Sequence, residues 1–228
     1  MKVNGNVLII LLTSFIFFQC QTGAEKEKNE RLTDEVSRTI KERIAEGITP
    51  SIAIALIDSN GIQYFNFGLT SKRGKEVDEH TIYEIGSISK VFTAILLAQQ
   101  IRDGDLTLDD KINDYLPAEV KVPVMGEQEI TFGNLSDHTS GLPRMPYNFT
   151  PANLSNPFAD YTVDKMYEFI TNYQPVREVG EEYEYSNIAQ GLLGHLLAAN
   201  KNTTYENLMI QTIALPLAMN ETKIKLDK

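Results

Sequence analysis

Two apolar runs flank the dipeptide Asn60-Gly61, and after residue 70 nothing in the chain reads as a convincing third strand. Ser51–Asp58 is a short isoleucine-rich run, and Ile62–Leu69 returns with Tyr64 and Phe65, residues suited to a pleated surface. Asn and Gly both tolerate positive φ, so the pair predicts an antiparallel hairpin. Most of the remaining chain has helical spacing. Leu32, Val36, Ile40 and Ile44 recur every fourth position and predict a helix over Arg31–Glu46, ended by Gly47. Further helices are predicted over Val91–Ile101 (apolar face Phe92, Ile95, Leu96 and Ile101, cap Ser87 or Ser89), Tyr161–Asn172, Asn187–Ala199 and Thr203–Ile213, with a short start at Ile130–Ser136. Leu142–Pro157 contains four prolines and reads as a long loop. An antiparallel hairpin with helices packed on it implies an α/β or α+β domain carrying a helical region. Two strands alone are marginal, so the sheet is expected to need more strands, and the chain is read as C-terminally incomplete.

Composition narrows the function classes. The chain has 228 residues, 42% of them hydrophobic and 23% charged, enough for a sizeable core and unlike a disordered segment. The net charge is -10 and no basic stripe stands out, which argues against a nucleic-acid partner. A single cysteine, Cys20, excludes an internal disulfide. His80, His138 and His195 with that cysteine make no metal-ligand spacing, and no metal or cofactor is expected.

The N-terminus is unlike the rest. Lys2 is the only charge before the apolar run Val7–Phe18. That run falls within the ~7–15 residues of a signal-peptide core and short of the ~17–25 that span a bilayer. Residues 1–20 are therefore read as a signal peptide, 21–30 as a polar linker and 31–228 as one domain, exported to the periplasm. Cys20 sits where a bacterial lipoprotein signal places its lipidated cysteine, which predicts a membrane anchor. Gln19 stands where a small residue is usual, and the alternative is ordinary cleavage nearby and a soluble exported protein.

Ser87-Ile88-Ser89-Lys90 has the S-x-x-K spacing, which puts serine and lysine one helical turn apart on one face. A serine hydroxyl is a weak nucleophile and needs a base within hydrogen-bond reach. The helix N-terminus also offers backbone N–H groups to a developing oxyanion. Taken alone the pattern is weak, and a capping serine beside a solvated lysine explains it better. No G-x-S-x-G elbow accompanies the histidines, so a Ser-His-Asp triad has no support. His195 lies among Leu192, Leu193, Leu196 and Leu197 and reads as a packed structural residue, His138 as a residue that holds its loop, and Met145–Phe149 as the rim of a cleft.

The surroundings of Ser87 change the weighting. The stretch TIYEIGSISKVFTAILLAQQIRDGDLTLDDKINDYLP resembles the nucleophile helix of the class C beta-lactamase and D,D-peptidase family. His138-Thr139-Ser140-Gly141-Leu142-Pro143 resembles that family's H-T-S-G-L-P segment, and Gly180 through Tyr185-Ser186-Asn187 its Y-x-N motif. Asn202–Thr222 is similar to its Pro-Leu-x-Met-x-x-T turn and the preceding helix. Two other Y-x-N triplets begin at Tyr64 and Tyr205, but one sits in a predicted strand and the other inside a helix. Only Tyr185 follows a Gly-containing turn and opens a helix, 98 positions after the serine.

The resemblance implies a beta-lactamase/transpeptidase-like fold and an acyl-serine hydrolase, with no cofactor. Ser87 would form the acyl-enzyme, Tyr185 and Lys90 would move its proton with their division of labour open, and Asn187 would bind Lys90 and a substrate amide. The implied substrate is a small molecule or a peptidoglycan-type peptide: a beta-lactam, a D-Ala-D-Ala peptide, a D-amino acid amide or an ester. The family's third motif, K-T-G or H-x-G, is not found after Asn187. That departure predicts low activity for this 228-residue form and keeps a non-catalytic or truncated envelope binding protein as the alternative.

Overall fold

The computed structural model describes residues 32–226. The segments read as a signal peptide and a polar linker, and Cys20 with them, lie outside the described residues. By its internal contacts the chain divides into two compact units, Met1–Thr81 and Ile82–Lys228.

The described part of the first unit is one helix and one hairpin. Helix α1 spans Asp34–Ala45, opened by Thr33, whose hydroxyl accepts from the Val36 N–H. Strand β1, Ser51–Asp58, pairs antiparallel with β2, Gly61–Gly68. The register runs from Ser51 opposite Gly68 to Asp58 opposite Gly61, so the two-residue loop is Ser59-Asn60. The turn therefore lies one residue earlier than an Asn-Gly turn. The cause is Asp58, whose carboxylate accepts from the Asn60 N–H at 2.6 Å and starts the turn itself, leaving Gly61 alone at positive φ.

The second unit is helical. Helix α2 is Ser89–Arg102, α3 Phe132–Asp137, α4 Val163–Asn172, α5 Asn187–Asn200 and α6 Tyr205–Met209, continued by a π-turn at Ile210–Ala214. Helix α5 is buried on most sides, with Ile188, Ala189, Leu192, Leu193, Leu196 and Leu197 all in the core. That pattern belongs to a central helix rather than an amphipathic surface one. Helices α2, α3 and α6 pack around it. Residues 103–131 contain only a single 3-10 turn, yet Leu106, Ile112, Val122 and Ile130 bury completely into the same core.

Helix α2 corrects the apolar face expected from its sequence. Leu96 is buried, and Phe92 and Ile101 pack against the core, but Ile95 is 44% exposed, and Thr93, Leu97 and Gln100 go inward. The buried amide of Gln100 is satisfied at both ends: it donates to the Leu197 carbonyl at 2.9 Å and accepts from the Asn200 side chain at 2.9 Å. Thr93 meets the Tyr205 hydroxyl at 2.8 Å. Lys90 lies three positions before Thr93, on the same inward face. Its contact with Asn187 and that of Gln100 with Leu197 show that α2 and α5 run side by side in the same direction. Both N-termini, with their positive dipole ends, therefore converge at one place.

Among the described residues no helix is long and apolar enough to cross a membrane, and no three His, Cys, Asp or Glu side chains gather as a metal site.

Candidate active site

Ser87 sits in the 3-10 turn Gly86–Ile88 that leads into α2. Neither Ser87 nor Ser89 caps the helix with its side chain; the Ser89 hydroxyl donates back to the Gly86 carbonyl at 2.8 Å. Gly86 has φ of +53° with open space where a Cβ would stand, so it is the backbone bend that calls for glycine there. The bend leaves the Ser87 side chain outside the helix and exposed.

Four side chains meet at this point. Lys90 Nζ donates to Ser87 Oγ at 3.2 Å and to Asn187 Oδ1 at 2.9 Å. The Tyr185 hydroxyl donates to Ser87 Oγ at 2.5 Å. Lys90 Nζ also lies 4.6 Å from the centre of the Tyr185 ring. Asn187 completes the set by donating from Nδ2 to the thioether of Met145 at 3.3 Å. Ser87, Lys90, Tyr185 and Asn187, the four residues singled out from the sequence, are thus one hydrogen-bonded cluster. The other two Y-x-N tyrosines go elsewhere: Tyr64 lies in β2 and Tyr205 packs on α5.

The loop that carries Tyr185 is held by residues that look unremarkable in sequence. Ser186 is fully buried and caps α5: its hydroxyl accepts from Ala189 N–H at 3.0 Å and donates to the Pro143 carbonyl at 2.8 Å. Its own N–H donates to His138 Nδ1 at 3.1 Å. His138 ends α3 in the left-handed conformation, and its ring lies against the Tyr185 ring at 4.7 Å. Burial, then the Lys90 charge, lower its proton affinity, which suits a neutral imidazole accepting at Nδ1. The expectation that His138 holds its loop therefore agrees with its contacts. Replacing Ser186 with Ala is expected to cost about 1–2 kcal/mol, read as a lower urea midpoint, because the cap and the tie to Pro143 go together.

Electrostatics centre on Tyr185. Its phenol is held below the ordinary value, first by the Lys90 hydrogen bond, then by the one to Ser87, with added positive charge from Lys90 and Arg144. Arg144 Cζ stands 5.0 Å from the Tyr185 ring centre. Sequence reasoning missed Arg144, although it directly follows the Gly141-Leu142-Pro143 segment that carries the motif. An arrangement of hydroxyl, acidified phenol and fixed ammonium can pass a proton away from Ser87 as its oxygen attacks a carbonyl.

The beta-lactamase family model matches residues 36–228. The chain belongs to the beta-lactamase family. A beta-lactamase from Pseudomonas fluorescens is 32% identical over 192 residues, which is 83% of this chain and 50% of that protein. One from Providencia stuartii is 32% identical over 196 residues, 85% of this chain and 47% of its own length. A crystal structure of a beta-lactamase/D-alanine carboxypeptidase from Yersinia pestis, complexed with citrate, superposes with a TM-score of 0.74 at 26% identity, covering 87% of this chain and 57% of the other. A class C beta-lactamase in complex with cefoxitin superposes at 0.70, also 26% identical, covering 85% and 51%. The fold is thus the beta-lactamase/transpeptidase-like one, present in part, and the chain spans about half the length of the curated family members it matches.

Proposed function

We propose that this chain is the nucleophile-bearing part of an acyl-serine hydrolase that acts on an amide, beta-lactam or ester through a covalent acyl-enzyme. One observation carries the reading: Ser87 Oγ receives hydrogen bonds from Tyr185 and Lys90 at once, while Lys90 is also tied to Asn187. In the phenolate form Tyr185 takes the Ser87 proton as Oγ bonds to the substrate carbonyl carbon. Lys90 holds that phenolate and orients the serine. The proton then passes to the leaving nitrogen or oxygen as its bond to the carbonyl carbon breaks. Water adds to the acyl-enzyme by the same route in reverse and frees Ser87. The Ser87 backbone N–H, at the start of α2, is the oxyanion donor that this part of the chain supplies.

The substrate is a small molecule or a cell-wall-type peptide. Export through Met1–Cys20 and a lipid tether at Cys20 belong to the same reading, which places the site at the cell envelope. Incubation with a fluorophosphonate and with a fluorescent penicillin, followed by intact mass, tests it. One adduct per chain is expected, and none with Ser87→Ala. Failure of both probes to give a Ser87-dependent adduct would sink the proposal, and the preferred probe separates ester-like from lactam-like chemistry.

A further inference from the structure

Two contacts of unequal strength hold the Asn187 side chain. Lys90 Nζ donates to its Oδ1 at 2.9 Å, and its Nδ2 donates to the Met145 thioether at 3.3 Å. An ammonium only donates, so the carbonyl end of the amide faces Lys90 and the NH2 end faces the sulfur. A thioether is a weak acceptor. Nδ2 is therefore held loosely, and a substrate carbonyl that takes the sulfur's place loses little by doing so.

Met145 differs from the chain's core methionines in its surroundings. Met166 and Met209 are buried, and Met219 packs against the same core. Met125 is 48% exposed, in the stretch 103–131. Met145 is half-buried and, with Asn187, lines a cavity of about 310 Å³. A whole water takes about 30 Å³ of liquid volume, so a small oxidant and one added oxygen both have room beside this sulfur.

We infer that Met145 is an oxidation site whose sulfoxide withdraws Asn187 from the substrate amide and so slows acylation reversibly. The inference rests on Ser87 as the acylated residue and on Asn187 as the group that binds the substrate amide. The oxidant is a peroxide. A sulfur lone pair attacks one peroxide oxygen and the O–O bond breaks. The departing hydroxide takes the proton of the new S–OH group, giving sulfoxide and water. Sulfur is oxidised by two electrons and the peroxide is reduced by two. The product is polar where the thioether was apolar. Its oxygen is a strong acceptor on a sulfur 3.3 Å from Nδ2, and it competes with the substrate carbonyl for that donor and for the space beside it. The contacts of Ser87 with Lys90 and Tyr185 do not run through the sulfur, so the nucleophile itself stays in place.

The test compares two labels of Ser87. A fluorescent penicillin carries a side-chain amide for Asn187, and a fluorophosphonate carries none beside its reactive centre. The full chain is treated with hydrogen peroxide. Oxidation at each methionine is read by peptide mass, and labelling rates are read by intact mass. Once Met145 is oxidised, penicillin labelling is expected to slow by about tenfold, and fluorophosphonate labelling by less than about twofold. Methionine sulfoxide reductase restores the penicillin rate. In Met145→Leu the ratio of the two rates does not change with peroxide, whereas Met125→Leu still shows the drop. Equal slowing of both labels overturns the inference, as does an unchanged penicillin rate with Met145 oxidised. The full drop in Met145→Leu also overturns it, as does peroxide that oxidises Met125 and spares Met145. If the untreated chain takes up no penicillin, the fluorophosphonate alone judges the nucleophile reading, and nitrogen-15 NMR of the Asn187 side-chain amide judges the oxidation site. A peroxide-induced shift of that NH2 pair, absent from Met145→Leu, supports the site; no shift, or the same shift in the variant, overturns it.

Discussion

Lys90→Met lowers the rate of Ser87 acylation by roughly 10²–10⁴-fold, the range a positioned proton-transfer system contributes. The loss comes from three contacts made by one ammonium: to Ser87 Oγ at 3.2 Å, to Asn187 Oδ1 at 2.9 Å, and over the Tyr185 ring at 4.6 Å. Methionine keeps the length and removes the charge and the donors. The pH dependence tells which contact matters most. The Tyr185 phenol is held below its ordinary value, with Lys90 the first cause, the Ser87 hydrogen bond second and the Arg144 charge weakest. A phenol with a lowered pKa becomes phenolate at lower pH. Acylation that uses this phenolate therefore rises as pH climbs through a midpoint below ~10. Removing Lys90 moves that midpoint up toward ~10, so the variant loses most near neutral pH and recovers in alkali. Tyr185→Phe removes the inflection altogether. The labelling rate followed across pH decides the matter: a Lys90→Met profile with the native midpoint would show that Lys90 does not act through Tyr185.

Phe132→Ala is expected to destabilise the second unit by about 3–5 kcal/mol. Phe132 has no exposed surface and opens α3, with its ring edge-on to Tyr115 at 4.9 Å and 88°. Its N–H donates to the Asp110 carbonyl at 3.2 Å, which ties α3 to the stretch 103–131. That stretch has little secondary structure of its own, so its order depends on side chains such as Ile112 and Leu106 meeting this core. Truncating the ring leaves a void that neighbouring helices cannot close without moving. The measurement is the urea midpoint at unchanged slope. Ile95→Ala, on the exposed side of α2, is the contrast and should change stability by no more than about 1 kcal/mol. Equal losses at the two positions would contradict the placement of this core. Because His138 closes α3 and supports the Tyr185 ring, the Phe132 variant should also label more slowly while still folded.

Ser87 and Lys90 were legible because their relation is local. Three residues apart at a helix start, they face the same way whatever the rest of the chain does. Tyr185 and Asn187 were legible only through a resemblance, since no periodicity links positions separated by 98 residues. Arg144 had a weaker signal, its place directly after a motif, and nothing in its residue type points at a tyrosine ring 5.0 Å away.

The sequence alone determined the helices, the paired strands of the hairpin and the spacing of serine and lysine, because these depend on backbone hydrogen bonds and side-chain periods a few residues long. Tertiary structure decided the remainder. It turned Gln100 inward and Ile95 outward, since the amide finds its partners on α5, 97 and 100 positions away. It brought His138 and Ser186 together behind Tyr185, and packed the Tyr205 ring where a side chain at Gly194 would stand. Each of these is fixed by a partner distant in the chain, and the free energy of burying or satisfying a group depends on that partner and not on the neighbours in sequence.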